Sequence, residues 1–472
     1  MVYNCQNEVT MKPNFINNPI ICSNFAVDES MQKPMGRMMM YRLLVACILM
    51  SLPTVAGAYD FIADGIYYDL VDGHAVVTHN GQTNCYSGDV VIPETVTHEG
   101  TTYPVTAIGD YAFKGSTGLI HVTIPEGITT IGYSAFWDCM GLVAVTIPES
   151  VASIGEYAFA CCYSLRELVY NAVNCEDFGW SGTPFVYSGI ENIIIGDNVK
   201  RIPDLFVYEL ESLKTVSIGK SVTSIGMSAF DECVGLTGVY IKDLAAWCTI
   251  SYHDWTSNPL YYARRLFLNG EEIKDLVIPS SVTSISSFAF LSCSHLTTVT
   301  IPNTVTSIGD YAFEDCPSLV KATIGNGVTR MGTKIFNYCQ NLDNVTCIAG
   351  RPPVFTESGL FYDLGYYADA TLHVLSESVT AYQSATYWQD FSLINGDAIF
   401  YLLGDVNGDS EINVADVNIV IDIIINGGSS GGHSRVPSPF GNGWAINGDV
   451  NGDSEVNIAD INVIINHILG GQ

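Results

Sequence analysis

The stretch GDVNGDSEINVADVNIVIDIII, starting at Gly404, recurs 44 residues later as GDVNGDSEVNIADINVIINHIL from Gly448. Both copies set oxygen-bearing residues at places 1, 3, 5, 7, 9 and 12 of a loop, the pattern that wraps a hard cation taking about 6 to 8 oxygens. In the first copy the ligands are Asp405, Asn407, Asp409, the Glu411 backbone carbonyl, Asn413 and Asp416. In the second they are Asp449, Asn451, Asp453, the Glu455 carbonyl, Asn457 and Asp460. The cofactor this predicts is Ca2+, two ions. Ser410 and Ser454 stand at the sixth place, where glycine eases the sharp turn, and a left-handed non-glycine residue there costs roughly 1 to 2 kcal/mol. Together with a final Asp in place of the longer Glu, this predicts weakened affinity rather than lost binding.

The elements that must position these ligands are helices that follow each loop. Val417, Val420, Ile421 and Ile424 share one helical face, as do Ile461, Ile464, Ile465 and Ile468, so two apolar stripes can close a small all-α domain around both ions. Residues 427–446, rich in Gly, Ser and Pro, supply the connecting loop. Duplicated loop-plus-helix segments of the form GDVNGD...N..D resemble type I dockerins, over about residues 402 to 470. The resemblance implies docking onto a cohesin-like module, with selectivity carried by Val414, Ala415, Ile421 and Asp422 and by Ile458, Ala459, Ile465 and Asn466. Val414 and Ile458 stand where many cohesin binders carry hydroxyl residues. The alternative is that calcium only folds a stabilising C-terminal module.

The body of the chain repeats with a period of 23: Phe113, Phe136 and Phe159, then Phe290, Phe313 and Phe336. Each unit, such as IPNTVTSIGDYAFEDCPSLVKAT from Ile301, has a short alternating strand stopped by proline or glycine. A DYAF segment follows, read as a short helical turn with its Phe inward. One unit buries too little alone, so neighbours must stack strands into one sheet and core. These units, with Cys three places after Phe, resemble the BspA-type bacterial leucine-rich repeats over roughly residues 90 to 348. Eight units carry the Phe anchor, including Phe206 and Phe230. The resemblance implies an α/β leucine-rich repeat solenoid, right-handed, with parallel strands on the concave face, in proteins that are commonly secreted or surface-exposed and sometimes adhesins.

Two places break the period. The unit between Tyr170 and Ile195 keeps only Phe185 near its expected place. Between Ile241 and Ile278 the interval is 37, an insertion of 14 residues lying at about 242–275 and carrying Trp247, Trp255, Tyr261 and Tyr262. These aromatics are candidate partner-binding residues, able to stack on sugar rings or anchor a protein interface. The alternative is that they pack the extra segment onto the core. Residues 59–103 read as a hairpin-rich N-terminal cap, residues 104–395 as the solenoid, with a closing strand and short helix over 370–391, and residues 402–472 as the calcium module.

Cys139, Cys162, Cys233, Cys293, Cys316 and Cys339 share one repeat position, so their Cβ vectors run parallel rather than facing each other. They are expected to be buried thiols packing as small hydrophobes. Cys161, beside Cys162, together with Cys175 is the place for a disulfide. Nine histidines are scattered without a nucleophile-and-base setting, and strands such as HVTIP, AVTIP and TVTIP are expected to turn Thr and Val outward rather than a carboxylate pair. Asp110, Glu156 and Asp310 are expected to start helices. The reading is of a protein that is not an enzyme.

A net charge of −30, from 49 acidic and 19 basic residues, disfavours nucleic acid and anionic membranes as partners. Arg37 and Arg42 precede an apolar run from Leu43 to Val55 and the small residues Ala56, Gly57 and Ala58, a secretory leader over residues 1–58 with cleavage after Ala58. The functional start is expected at 35–40, and no transmembrane segment beyond the leader is expected. The sequence reading is thus a secreted or cell-surface bacterial binding protein, a solenoid for protein or cell adhesion with a calcium-dependent docking tail. The rival is an accessory component of a polysaccharide-degrading complex, a glycan or protein adaptor held through cohesin.

Overall fold

The computed structural model describes residues 59–356 and 370–398, together with the backbone of Val436–Pro437 and Trp444–Ala445, which pair antiparallel. The segment expected to be a leader and the two loops expected to bind calcium, with the residues predicted to bind cohesin, lie outside the described residues. The antiparallel pair falls in the segment expected to be a connecting loop.

Each coil contributes rungs to three ladders. The wide ladder is parallel and in register: Ala144–Ile147 pairs with Glu167–Tyr170, which pairs with Asn192–Ile195, and so on to Gly238–Ile241. Alternation decides the faces, with Val145 and Ile147 buried and Thr146 exposed. The expectation that both Thr and Val point outward is therefore half wrong: Val122, Val145 and Val299 face the core, and Thr alone shares the outer face with the first strand residue. Burial of one such Val or Ile is worth about 1.5 to 3 kcal/mol. The narrow ladder uses two-residue rungs such as Ser284–Ile285, Ser307–Ile308 and Arg330–Met331.

The third ladder is made by the DYAF segments, which are successive tight turns and not helices. Alternate N–H groups leave the coil: those of Tyr111, Phe113 and Gly115 donate to the carbonyls of Tyr133, Ala135 and Trp137 at 2.9, 2.7 and 2.7 Å. Those between them, on Ala112, Lys114 and Ser116, donate three residues back. A helix would keep its interior N–H groups for its own carbonyls and leave the next coil unpaired. The geometry requires left-handed backbone twice per turn, as at Tyr157 (φ 58°) and Cys161 (φ 60°). Each costs roughly 1 to 2 kcal/mol, offset by the bonds between coils. Asp110 and Asp310 serve the same end, accepting the N–H of Tyr133 and Thr333 in the following coil at 2.7 and 2.8 Å rather than capping helices. Glu156 likewise reaches the next coil, to the Ser181 hydroxyl.

Inside, the phenyl rings stack: Phe113 on Phe136 at 4.7 Å, Phe136 on Phe159 at 4.8 Å and Phe290 on Phe313 at 5.2 Å. Phe206 breaks the column, crossing Phe230 at 70°. The anchor of its coil is Val207, whose carbonyl accepts the Cys233 thiol as the Phe113 carbonyl accepts that of Cys139. Phe206 fills the place that Ala holds elsewhere, so it is not one of the anchors.

The ladder cysteines do more than pack as small hydrophobes. Cys139, Cys162, Cys233, Cys316 and Cys339 each donate S–H to the carbonyl of the residue 26 positions earlier, at 3.0 to 3.3 Å. Cys162 and Cys175 are free thiols, so neither forms the disulfide expected with Cys161. Burial pushes the Cys162 and Cys293 thiols from 9.0 up to about 12. A folded thiol that keeps its proton after the unfolded one has lost it makes stability fall as pH rises from about 9 towards about 12. Urea midpoints measured across that window should decline, and thiol alkylation at pH 8 should spare these cysteines until the chain unfolds.

The 14-residue insertion proves to be two features. The coil from Ile241 to its wide-ladder partner Leu268 is four residues longer than the repeat, and a hairpin spends the other ten before Ile278. The long coil keeps a narrow-ladder rung, Ser251–Tyr252, but carries helices at Leu244–Cys248 and Leu260–Ala263. Glu271–Glu272 folds back antiparallel on Leu266–Leu268 and ends the nine-stranded wide sheet; a separate six-stranded sheet begins at Asp275–Val277.

At the N-terminal end, Phe61–Ala63, Ile66–Val71 and His74–Thr78 form an antiparallel meander. Ser87–Val91, inside the segment expected to be cap, is already a wide-ladder rung, paired parallel with Gly118–Thr123. At the other end Thr371–Val374 is followed by a helix at Val379–Ser384 and one further rung, Leu393–Asn395. Tyr382 and Trp388 close the core there, donating to the carbonyls of Ala349 and Pro353 at 2.9 Å each.

Candidate binding surfaces

The outer face of the wide sheet has two columns of side chains, from the first and third residues of each strand. In the third column the residues are Val91, Thr123, Thr146, Val169, Ile194, Ser217, Tyr240 and Phe267; in the second sheet they are Val277, Thr300, Thr323, Thr346, His373 and Asn395. Tyr240 and Phe267, both half-buried, stack at 4.6 Å with 12° between their planes. They lean across Gly238, where an added Cβ would lie 3.1 Å from Tyr240 Cε2 and 3.2 Å from Phe267 Cε2. Glycine at this place is what lets the pair lie against the sheet.

Polar groups border the pair. The Arg265 guanidinium lies 5.0 Å from the Phe267 ring centroid and grips Glu272 with two hydrogen bonds, at 2.7 and 3.0 Å. His295 Nδ1 is 2.8 Å from the same carboxylate. The Arg265 hydrogen bonds hold the Glu272 carboxyl below its ordinary value. An aromatic surface edged by a guanidinium, a carboxylate and an imidazole can contact an apolar or sugar face and orient it by hydrogen bonds. Sequence reasoning missed this pair, although the signal was present: Tyr and Phe stand in succession at a strand place that otherwise holds Thr, Ser, Asn, His, Val or Ile.

The four predicted aromatics of the insertion separate. Trp247 is 1% exposed and donates from Nε1 to the Ala289 carbonyl at 2.9 Å, so it is core and has no face for a partner. Asp243 caps the helix Leu244–Cys248, which turns Leu244, Trp247 and Cys248 to one buried side. Tyr262 is half-buried, its hydroxyl donating to Asp231 and accepting the Glu232 N–H. Trp255 is 50% exposed and meets Tyr261 edge-on at 4.7 Å, so these two remain available. Among the described residues no group of three or more His, Cys, Asp or Glu side chains is arranged to hold a metal ion, and no helix is long and apolar enough to cross a membrane.

The sequence profile of the family described as BspA type leucine rich repeat region matches residues 84–182, 181–250 and 263–358. No curated protein matches the chain. Among solved structures, a leucine-rich repeat protein from Bacteroides ovatus is 23% identical, with 71% of this chain and 99% of that one covered and a TM-score of 0.32. A leucine rich cell surface protein from Faecalibacterium prausnitzii is 21% identical, with 72% and 94% covered and a TM-score of 0.31. The leucine rich repeat protein of T. pallidum is 21% identical, with 55% and 90% covered and a TM-score of 0.26.

Proposed function

Because the chain belongs to the BspA-type leucine-rich repeat family, we propose that it is an exported, non-enzymatic adhesion protein that offers the outer face of its wide sheet to a macromolecule and is mounted through its tail. The single observation that carries the reading is the Tyr240–Phe267 pair, a stacked aromatic pair on the outer sheet face with Arg265, Glu272 and His295 beside it. A sheet face that only meets solvent has no need of such a pair, whereas binding energy concentrates in aromatic and arginine anchors. Export rests on the leader ending at Ala58, and mounting rests on the two calcium loops, which would hold one Ca2+ each.

Capture of the full chain on arrays of extracellular-matrix proteins and of glycans tests this reading. Binding to a matrix protein, weakened about tenfold or more by Tyr240→Ser with Phe267→Thr, is the expected result. Binding to glycans alone would favour the rival, an adaptor in a polysaccharide-degrading assembly joined to a cohesin-like module. What favours that second reading is the doubled GDVNGD loop of the tail.

A further inference from the structure

The turn ladder carries its own aromatic edge, distinct from the sheet face. Towards its N-terminal end the Lys114 ammonium sits 4.5 Å from the Trp137 ring centroid and 5.1 Å from that of Tyr111. Further along, Lys334 sits 5.7 Å from the Tyr311 centroid. Both are cation–π contacts supplied by the chain itself.

The middle of the edge has the same rings without the cations. Trp180 meets Tyr208 edge-on at 5.3 Å, and Tyr261 meets Tyr262 at 4.9 Å. Among the described residues no lysine or arginine lies over these rings, and Arg264, beside Tyr261, is engaged by Asp315. Carboxylates are gathered here instead. Glu209 and Glu232 hold the same left-handed place in successive coils, with φ of 60° and 58°, and the Glu209 N–H donates to the Asp231 carbonyl at 3.0 Å. Tyr262 Oη donates to Asp231 Oδ1 at 2.9 Å and accepts the Glu232 backbone N–H at 3.0 Å, which brings the second ring pair to the Asp231 carboxylate and the Glu232 backbone. Burial, then the charges of Glu209, Asp231 and Glu232, push the Tyr208 phenol above its ordinary value, consistent with negative charge close to that ring. Trp180 is 63% exposed, so the edge is open.

We propose that this central edge binds a lysine- or arginine-bearing segment of a partner protein, its cation seated against Trp180 and Tyr208 with Glu209 and Glu232 alongside, as Lys114 is seated between Tyr111 and Trp137. Charge alone does not define the site, since the whole chain is acidic; the pairing of bare rings with carboxylates does. The inference is independent of what the sheet face binds.

The probe is fluorescent hexalysine, with its fully Nζ-acetylated form as comparison, titrated against the full chain at physiological salt. Glu209→Gln with Glu232→Gln, and separately Trp180→Ala, should each weaken hexalysine binding about five- to tenfold. Glu99→Gln with Asp343→Asn removes the same charge elsewhere on the exposed surface and should leave binding unchanged. Equal weakening by the remote pair would mean general attraction to an acidic protein and would overturn the proposal. So would full binding by Trp180→Ala or by the acetylated peptide.

Discussion

Replacing Trp247 by alanine is expected to cost about 3 to 5 kcal/mol and to split unfolding into two steps. The size follows from deleting a fully buried indole and leaving the Ala289 carbonyl without its donor. The splitting follows from where the indole lies. Both the wide and the narrow ladders stop at the long coil and restart after it, so no β-pairing crosses the joint. What crosses is the Trp247 bond, Ser286 N–H to the Cys248 carbonyl at 2.8 Å, Asn258 Nδ2 to the Phe288 carbonyl at 2.6 Å and Ser294 N–H to the Arg264 carbonyl at 2.9 Å, with the exposed pairs Arg264–Asp315 and His295–Glu272 at the rim. In a stacked array each coil is stabilised by its neighbours, so the weakest interface sets whether the blocks unfold together. Urea unfolding followed by far-ultraviolet circular dichroism, with limited proteolysis at intermediate urea, reads both effects. Trp255→Ala, at a half-exposed ring, should move the midpoint by no more than about 0.5 kcal/mol. A single transition for Trp247→Ala at the wild-type midpoint would contradict this account.

Calcium is expected to govern the tail alone. In the full chain, Ca2+ at about a thousandfold over its dissociation constant should add about 4 kcal/mol per loop to the stability of the module it folds, and EGTA should remove it. Scanning calorimetry of the full chain should therefore show one transition that moves with calcium while the solenoid transition stays in place. Asp405→Ala with Asp449→Ala deletes the first ligand of each loop and should abolish the dependence. A thermogram unchanged between Ca2+ and EGTA would sink the ligand assignment.

Most of the fold was legible because a solenoid repeats its hydrogen-bond partners at the interval of its sequence period. The period of 23 located the wide rungs, and alternation located the buried Val and Ile. The DYAF segments escaped because local propensity cannot see a carbonyl in the next coil, and that carbonyl is what selects turns over a helix. Phe206 was misplaced for a simpler reason: a Phe one residue off register looks like an anchor unless the partner of Cys233 is known. Trp247 and Trp255 are alike in composition, yet Asp243 as a helix cap would have put Leu244, Trp247 and Cys248 on one face at i, i+3 and i+4. Of the candidate surfaces, the ring pair Trp255 and Tyr261 was legible from its place in an insertion, whereas the pair Tyr240 and Phe267 needed the column along which strands stack.

One property of the turn ladder reaches beyond stability. Since each coil donates to the next the same bonds it accepts from the last, an ordinary coil such as Ile301–Ile324 is interchangeable with its neighbours. A gene encoding such a chain can gain or lose whole units by unequal recombination, and every junction stays chemically correct. The long coil is exempt, for its two faces differ: one accepts the ladders of the first block and the other offers Trp247. It fixes one point in an array whose length is otherwise free, and the aromatic pair at Tyr240 and Phe267 keeps its place beside that point however many coils are added on either side.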